Sequence, residues 1–283
     1  MNRTFKLVSL LLLLLFSFVF MSCKESEPKE ENEGNQEPPK VENVVTHESY
    51  QIMEGTTLET TVHVFKSSIE GPTIFITGGT HGDEVAGWKA AEKLITEEYY
   101  KNYIGTVVVI PYLNKLGCDL EQRYPGVSNK GSYNGETYSD LNRAFPGKVD
   151  GTLTERLAYT ICEEVKKYNP KYVVDLHESR GSYDPDETGR YKLGNELLYA
   201  NGKSSIMCED ILEIYNRDFL SAGDTRFNQE GPGVAGSFNE YYGQTLKCYG
   251  FTIETNRQLS VEKRVSQQLT ILEILFDYAW NKE

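Results

Sequence analysis

The chain has 283 residues, and its 42 acidic residues against 29 lysines and arginines give a formal net charge of −13. A chain this acidic repels phosphate backbones, which argues against a nucleic acid partner. The length allows one sizeable buried core.

The first 23 residues resemble a secretory signal. A short basic start precedes an apolar run over residues 7–20, which is followed by Ser22 and Cys23. This run is shorter than the roughly 20 residues that a membrane-spanning helix needs. The Ser-Cys ending resembles that of a bacterial lipoprotein signal, in which the cysteine is lipidated. We therefore predict lipidation at Cys23 and a membrane-anchored position in the cell envelope; an uncleaved anchor and an ordinary signal peptide stay open.

Residues 24–45 are rich in glutamate and nearly free of apolar side chains. Such a segment cannot bury enough surface to fold, so it is predicted to be a disordered acidic tether. The folded domain is accordingly predicted to comprise residues 46–283.

Four further cysteines lie within that domain and form no CxxC pair. Two interpretations of Cys118, Cys162, Cys208 and Cys248 stay open. They form two disulfides in an exported protein, or they are buried reduced thiols, which is the interpretation we favour.

Strand and helix patterns alternate along the domain, with a Gly- and Tyr-rich loop over residues 113–140. Apolar strands that alternate with helices predict an α/β fold, with a mostly parallel or mixed twisted sheet covered by helices on both faces. Functional residues of such sheets gather beyond the carboxyl ends of the strands. The predicted strands are 62–66, 73–77, 106–112, 172–176 and 249–254, and the predicted helices are 84–99, 153–168, 206–219, 237–244 and 261–280.

Two strand ends carry residues that can bind a metal ion. His81 and Glu84 lie in the turn between a predicted strand and helix, and His177 follows at the end of a later strand. Two histidines and one carboxylate with an open fourth position form the ligand set of catalytic zinc in carboxypeptidase-type enzymes. The pattern predicts one zinc ion per chain.

The same segments also have a structural interpretation. Thr80 and Asp83 could form a capping box at the start of a helix, and Glu84 is favourable at the positive end of that helix. His177 could also be a core histidine whose hydrogen bonds are satisfied by its neighbours.

Three segments of the chain look like those of a known family. They are residues 78–84 (GGTHGDE), 140–147 (DLNRAFPG) and 175–178 (DLHE). In order and spacing they resemble the succinylglutamate desuccinylase/aspartoacylase group of the zinc carboxypeptidase superfamily, over roughly residues 70–280. The resemblance implies the zinc carboxypeptidase-like fold and makes residues 46–283 a zinc hydrolase domain.

The resemblance also implies roles for individual residues. It assigns His81, Glu84 and His177 to zinc, and Asn142 and Arg143 to a carboxylate of the substrate. A guanidinium group suits this task because its planar fork pairs bidentately with a carboxylate. A loop-stabilising role for the Asn-Arg pair stays open.

Two further catalytic roles follow from the same resemblance. Arg123 would polarise the scissile carbonyl; it lies nine residues after Asn114, although Lys115 stands where the family has proline. Glu254, which ends an apolar strand, would be the general base. The alternatives are a surface salt bridge for Arg123 and a helix-capping role for Glu254.

Strand alternation adds one more residue. Asp175 precedes His177 by two positions, so the two side chains share a face and Asp175 is predicted to orient a ligand imidazole. Glu178 should point to the opposite face and be structural.

We expect a zinc-dependent hydrolase that cleaves an amide next to a carboxylate-bearing group. The substrate would be an N-acyl amino acid or a peptide with a free C-terminus, as for a deacylase or a metallocarboxypeptidase. The alternative is a lipid-anchored protein that binds a metal or a carboxylate on an inactive hydrolase fold. The presence of Glu254 argues against that alternative, because a binding protein needs no base.

Overall fold

The structure is a computed structural model that describes residues 42–124, 130–181 and 194–281. The predicted signal, Cys23 and most of the predicted tether lie outside these residues, so the lipid anchor stays a prediction. No helix among the described residues combines the length and the hydropathy needed to cross a bilayer. The folded unit begins at Glu42, slightly before the predicted boundary, because the first strand already starts at Val45.

An eight-stranded mixed sheet forms the centre of the described part of the chain, in the order β1-β2-β4-β3-β7-β10-β8-β9. The four central strands, β4, β3, β7 and β10, run parallel, whereas β1, β2 and β8 pair in antiparallel fashion with their neighbours. A separate hairpin is formed by β5 and β6. The strands are β1 (Val45–Ile52), β2 (Thr60–Ser67), β3 (Thr73–Gly78), β4 (Thr106–Ile110), β5 (Lys130–Tyr133), β6 (Glu136–Ser139), β7 (Tyr172–Ser179), β8 (Glu196–Tyr199), β9 (Asn228–Glu230) and β10 (Tyr249–Asn256).

Helices cover both faces of the sheet, so the predicted fold class is confirmed. Helices α1, α5 and α7 pack with one apolar cluster, and α4 and α6 pack with the cluster on the other face. Alternate residues of the central strands enter the two clusters, which is why these strands are apolar throughout. The helices are α1 (Val85–Leu94), α2 (Glu97–Tyr100), α3 (Lys115–Asp119), α4 (Leu153–Tyr168), α5 (Gly202–Ile214), α6 (Phe238–Gln244) and α7 (Val261–Asn281).

Local chemistry explains where the predicted boundaries are right and wrong. Helix α4 matches its predicted range because Thr152 and Glu155 form a capping box at its start. The predicted strand 106–112 ends at Ile110, since Pro111 lacks the N–H that a strand ladder requires. The predicted helix 84–99 is divided, because Thr96 adopts an extended backbone with ψ 154°.

Several elements were not predicted. The expected loop 113–140 contains α3 and the β5–β6 hairpin, and strands β1, β8 and β9 had no sequence signal. Strand β1 is a polar edge strand, and β8 and β9 are only four and three residues long, so none shows a strong periodicity. All four described cysteines are free and buried, which confirms the favoured interpretation.

Candidate metal centre and active site

The candidate site lies where three neighbouring parallel strands end. His81 lies in the turn after β3, and Glu84 directly precedes the first residue of α1. His177 lies near the end of β7, in register with Glu254 on β10. Because β3, β7 and β10 are adjacent and parallel, their carboxyl ends bring these residues to one edge of the sheet.

The three predicted metal ligands converge. Nδ1 of His81 lies 2.8 Å from Oε1 of Glu84, and Nδ1 of His177 lies 2.6 Å from Oε2 of the same carboxylate. One ligand atom from each residue lies within 4.8 Å of the others. The three residues are 1–3% exposed. Two imidazole nitrogens and a carboxylate facing one another fit zinc, which binds these donors in its catalytic sites.

Carboxylates hold the far side of both imidazoles. Nε2 of His81 lies 3.0 Å from Asp140 Oδ1, and Nε2 of His177 lies 2.7 Å from Asp175 Oδ2. These contacts leave both Nδ1 atoms directed at Glu84. Carboxylate contacts of this kind fix the orientation and raise the basicity of metal-binding histidines.

Asp175 thus contacts the imidazole of His177. Thr80 and Glu84, which the structural interpretation made helix-capping residues, have other contacts. The hydroxyl groups of Thr77 and Thr80 each donate to Asp175 Oδ1 over 2.8 Å, so Thr80 orients Asp175. Glu84 makes no side-chain capping bond to α1. Its Oε2 instead accepts from the backbone N–H of Glu178 over 3.1 Å, which places the carboxylate beside β7.

Electrostatics favour a cation between the three residues. Burial lowers the pKa of His177, but the charges of Asp175 and Glu84 outweigh it and raise that pKa well above its ordinary value. Burial raises the pKa of Glu84, yet the charges of His81 and His177 lower it well below its usual range. The negative charge of the carboxylates can thus be balanced by protons on the histidines or by a metal ion.

Arg123 lies inside this site, as the resemblance implied. Its Nη1 donates to Glu84 Oε1 over 3.0 Å, and its Nη2 donates to Asp140 Oδ2 over 3.4 Å. The Asn114 side chain accepts from the backbone N–H of Gly117 and donates to the carbonyl of Arg123. Asn114 therefore starts α3 and positions Arg123 even though Lys115 follows it.

The two predicted substrate-binding residues have different surroundings. Asn142 Oδ1 accepts from the backbone N–H of Phe238 over 3.0 Å, and its Nδ2 lies 3.5 Å from His177 Nε2. The guanidinium group of Arg143 is exposed and donates to the carbonyl of Asn142. Asn142 therefore borders the metal centre, whereas Arg143 points to solvent beside it.

The surroundings of Glu254 change its pKa. Burial raises its pKa to about 7, although the charge of His177 opposes this rise and that of Glu84 supports it. Glu178, in contrast, faces away as predicted. It forms an ion pair with Arg264 of α7 and accepts from the backbone N–H of Ala86, so it joins β7 to α1 and α7.

Three residues of the site were missed by sequence reasoning. Asp140 begins the DLNR segment, which was a usable signal for its contact with His81. Arg257, just past β10, donates to Asp83 over 3.0 Å and lies 3.7 Å from Glu84. Glu196 at the start of β8 lies opposite Glu254, and its short strand offered no signal.

A close contact between α1 and β7 brings Glu84 to His177. A Cβ atom on Gly87 would lie 2.4 Å from the carbonyl oxygen of Leu176. We expect Gly87→Ala to push α1 away from β7, lower the free energy of unfolding by about 1–3 kcal/mol and weaken zinc binding. Urea unfolding of the zinc-free protein and a zinc titration measure both effects.

Gly202→Ala is the matched control for this change. Gly202 begins α5, and a Cβ atom there would meet nothing within 4 Å. Alanine at this helical position should leave stability equal or raise it, because it restricts the unfolded chain. Equal behaviour of the two variants would contradict the role assigned to Gly87.

Comparison with known proteins agrees with this geometry. Residues 70–206 match the family model described as the succinylglutamate desuccinylase/aspartoacylase catalytic domain. Residues 70–206 therefore correspond to the catalytic domain of the succinylglutamate desuccinylase/aspartoacylase group. Over 115 residues, or 41% of this chain, it is 32% identical to the N-alpha-acetyl-L-2,4-diaminobutyric acid deacetylase of Halomonas elongata. The matched region covers 31% of that relative, so the similarity concerns about a third of its length.

Several solved structures have a similar fold. A succinylglutamate desuccinylase from Silicibacter sp. has a TM-score of 0.61 at 16% identity, covering 86% of this chain and 69% of its own. The product-bound ectoine utilization protein from Ruegeria pomeroyi has a TM-score of 0.62 at 18% identity, with the same coverage. A tripeptide-bound cell shape determinant protein from Helicobacter pylori has a TM-score of 0.61 at 21% identity, covering 74% of this chain and 51% of its own.

Proposed function

We propose that this chain is a zinc-dependent hydrolase that removes the acyl group from N-acyl amino acids. The convergence of His81, Glu84 and His177 carries the proposal, because their ligand atoms lie within 4.8 Å of one another in a buried site. The deacetylase from Halomonas elongata, whose name specifies an N-acetylated amino acid, supports this class of substrate. The match of residues 70–206 to the catalytic domain of the desuccinylase/aspartoacylase group supports hydrolysis as the reaction.

His81, Glu84 and His177 would hold the metal, and Asp140 and Asp175 would orient the two imidazoles. When bound, zinc would supply Lewis-acid polarisation of a water molecule and of the substrate carbonyl. Three protein ligands would leave room on the ion for these groups, as in catalytic zinc sites.

Glu254 moves the proton in this proposal. Its carboxylate accepts a proton from the attacking water and delivers it to the nitrogen of the leaving amine. A pKa raised to about 7 suits both steps, because a group that titrates near the working pH can accept and release a proton. The amide C–N bond breaks, the acyl group takes the hydroxyl, and the amine takes the proton.

The cationic and amide side chains position the substrate. Arg123, which donates to Glu84 over 3.0 Å, would donate to the carbonyl oxygen as negative charge develops on it. Asn142 and the exposed Arg143 would hold the substrate carboxylate, which orients the amide over the metal.

A substrate panel with zinc-loaded and chelator-treated protein tests this proposal. The panel contains N-acetyl and N-succinyl amino acids, their carboxamide analogues, and short peptides with free C-termini. We expect zinc-dependent turnover of the N-acyl amino acids and little turnover of the carboxamides, which lack the anchoring carboxylate. Turnover of the peptides alone would make the protein a carboxypeptidase. Zinc binding without any turnover would instead support the inactive binding protein.

The dependence of kcat/KM on pH provides a separate prediction. A general base must be deprotonated, so activity should fall as the pH drops through the pKa of Glu254. Without metal this pKa is about 7, and a nearby divalent cation would lower it by stabilising the carboxylate. We therefore expect an acidic limb with a midpoint between 4.5 and about 7 for the zinc-loaded enzyme. A profile that stays flat down to pH 4.5 would contradict the role of Glu254.

A further inference from the structure

A row of three side chains crosses the sheet at the candidate site. Glu254 on β10 is in register with His177 on β7 on one side and with Glu196 on β8 on the other. Residues opposite each other on paired strands project from the same face, with Cβ atoms roughly 5 Å apart. Glu196 therefore flanks the proposed base on the side away from the metal ligands.

The carboxylate of Glu196 is buried without a partner. The residue is 0% exposed, and neither carboxylate oxygen has a hydrogen-bond partner. Burial raises its pKa to about 7, with further contributions from the charges of Glu230 and Glu254, while the nearby backbone N–H of Gly194, which does not reach hydrogen-bond geometry, opposes the rise. A buried polar group without partners is costly, so it calls for an explanation.

Two other buried acidic residues of the described chain have hydrogen-bond partners. Asp175 has two threonine hydroxyls and His177, and Glu178 has Arg264 and a backbone N–H. Of the arginines near the metal centre, Arg123 contacts Glu84 and Asp140, and Arg257 contacts Asp83 through Nη1, while its Nε and Nη2 have no hydrogen-bond partner. The charges that act on Glu196 most strongly are those of other carboxylates, which together favour a cation.

We infer that Glu196 is a subsite for a primary ammonium group of the substrate, beside the general base. The inference rests on the proposed hydrolase function. An ammonium group has three donors and can satisfy both orphaned oxygens, and charge-assisted bonds of this kind are strong in a buried site. The candidate metal ligands are 1–3% exposed and Glu196 is 0% exposed, and Glu254 lies between His177 and Glu196 in the strand register.

The ligand class is therefore an N-acyl diamino acid whose second amine is free. The name of the Halomonas elongata relative specifies such a compound, N-acetyl-2,4-diaminobutyrate. N-acetyl-L-norvaline is its uncharged counterpart of equal side-chain length. The preference for the first compound over the second isolates the contribution of the ammonium group.

The test compares kcat/KM for these two compounds in the zinc-loaded full chain and in two variants. We expect the wild-type protein to prefer the diaminobutyrate derivative by about 10²-fold or more, and Glu196→Gln to reduce this ratio to near one. Glu48→Gln, which removes a charge from the exposed edge strand β1, should keep the preference. Glu196→Asp, which restores the charge, should recover part of it. An unchanged ratio in Glu196→Gln would overturn the inference.

A binding measurement separates this inference from the proposed function. If neither compound is hydrolysed, the proposed hydrolase function fails, and calorimetry with L-2,4-diaminobutyrate and L-norvaline still decides the subsite. Tighter binding of the diamine by wild type than by Glu196→Gln supports it, and equal affinities overturn it. Thermal unfolding shows whether each variant is folded. If Glu196→Gln is not folded, the affinities of wild type and Glu196→Asp for the two compounds decide whether Glu196 binds the ammonium group.

Discussion

Glu254→Gln should lower kcat by about 10³-fold while the protein keeps its zinc. Glutamine has nearly the shape of glutamate but cannot accept a proton from water, so we expect the variant to retain the metal and to lose the proposed base. Glu254 is not among the three converging ligands, which is why metal content should stay at one ion per chain. Steady-state assays measure kcat, and elemental analysis measures the zinc content per chain.

Glu48→Gln is the control for this variant. Glu48 lies on the edge strand β1 and is exposed, so the same chemical change should leave kcat and zinc content unaffected. Activity of Glu254→Gln within tenfold of wild type would show that another group removes the proton. Loss of zinc from the variant would show that Glu254 also helps to hold the metal.

His177→Ala should abolish both zinc binding and turnover. The substitution removes one of two imidazole ligands and leaves Asp175 without its 2.7 Å partner in a buried position. With zinc absent, neither the carbonyl nor the water is polarised, and the remaining acceleration should be very small. Wild-type protein should gain thermal stability when zinc is added, because the ion binds the folded state, and the variant should not.

The chain itself offers a histidine control. His47 lies on β1 and His63 on β2, and Nε2 of His47 is 3.0 Å from Nδ1 of His63. His63→Ala should keep the zinc, its stabilising effect and the activity. A variant at position 177 that still binds one zinc with wild-type affinity would contradict the proposed metal centre.

Much of the fold and site could be predicted from local sequence. The Gly-Gly turn with His81 and Glu84 follows one apolar strand, and His177 and Glu254 end two others. Because the carboxyl ends of parallel strands meet at one edge, strand patterns predicted that His81, Glu84 and His177 converge, and the family resemblance added Glu254. The alternation of strand residues likewise predicted that Asp175 and His177 share a face and that Glu178 does not.

Tertiary structure decided the partners that lie far apart in the chain. The contact of Asp140 with His81 spans 59 positions, and the register of Glu196 with Glu254 depends on an antiparallel strand of only four residues. A short strand has too little periodicity to predict its neighbour or its register. The residue types and spacing of the chain therefore determined which groups can bind a metal. The pairing of remote strands decided which carboxylates orient the imidazoles and which one stays without a partner, because register depends on packing across the whole sheet.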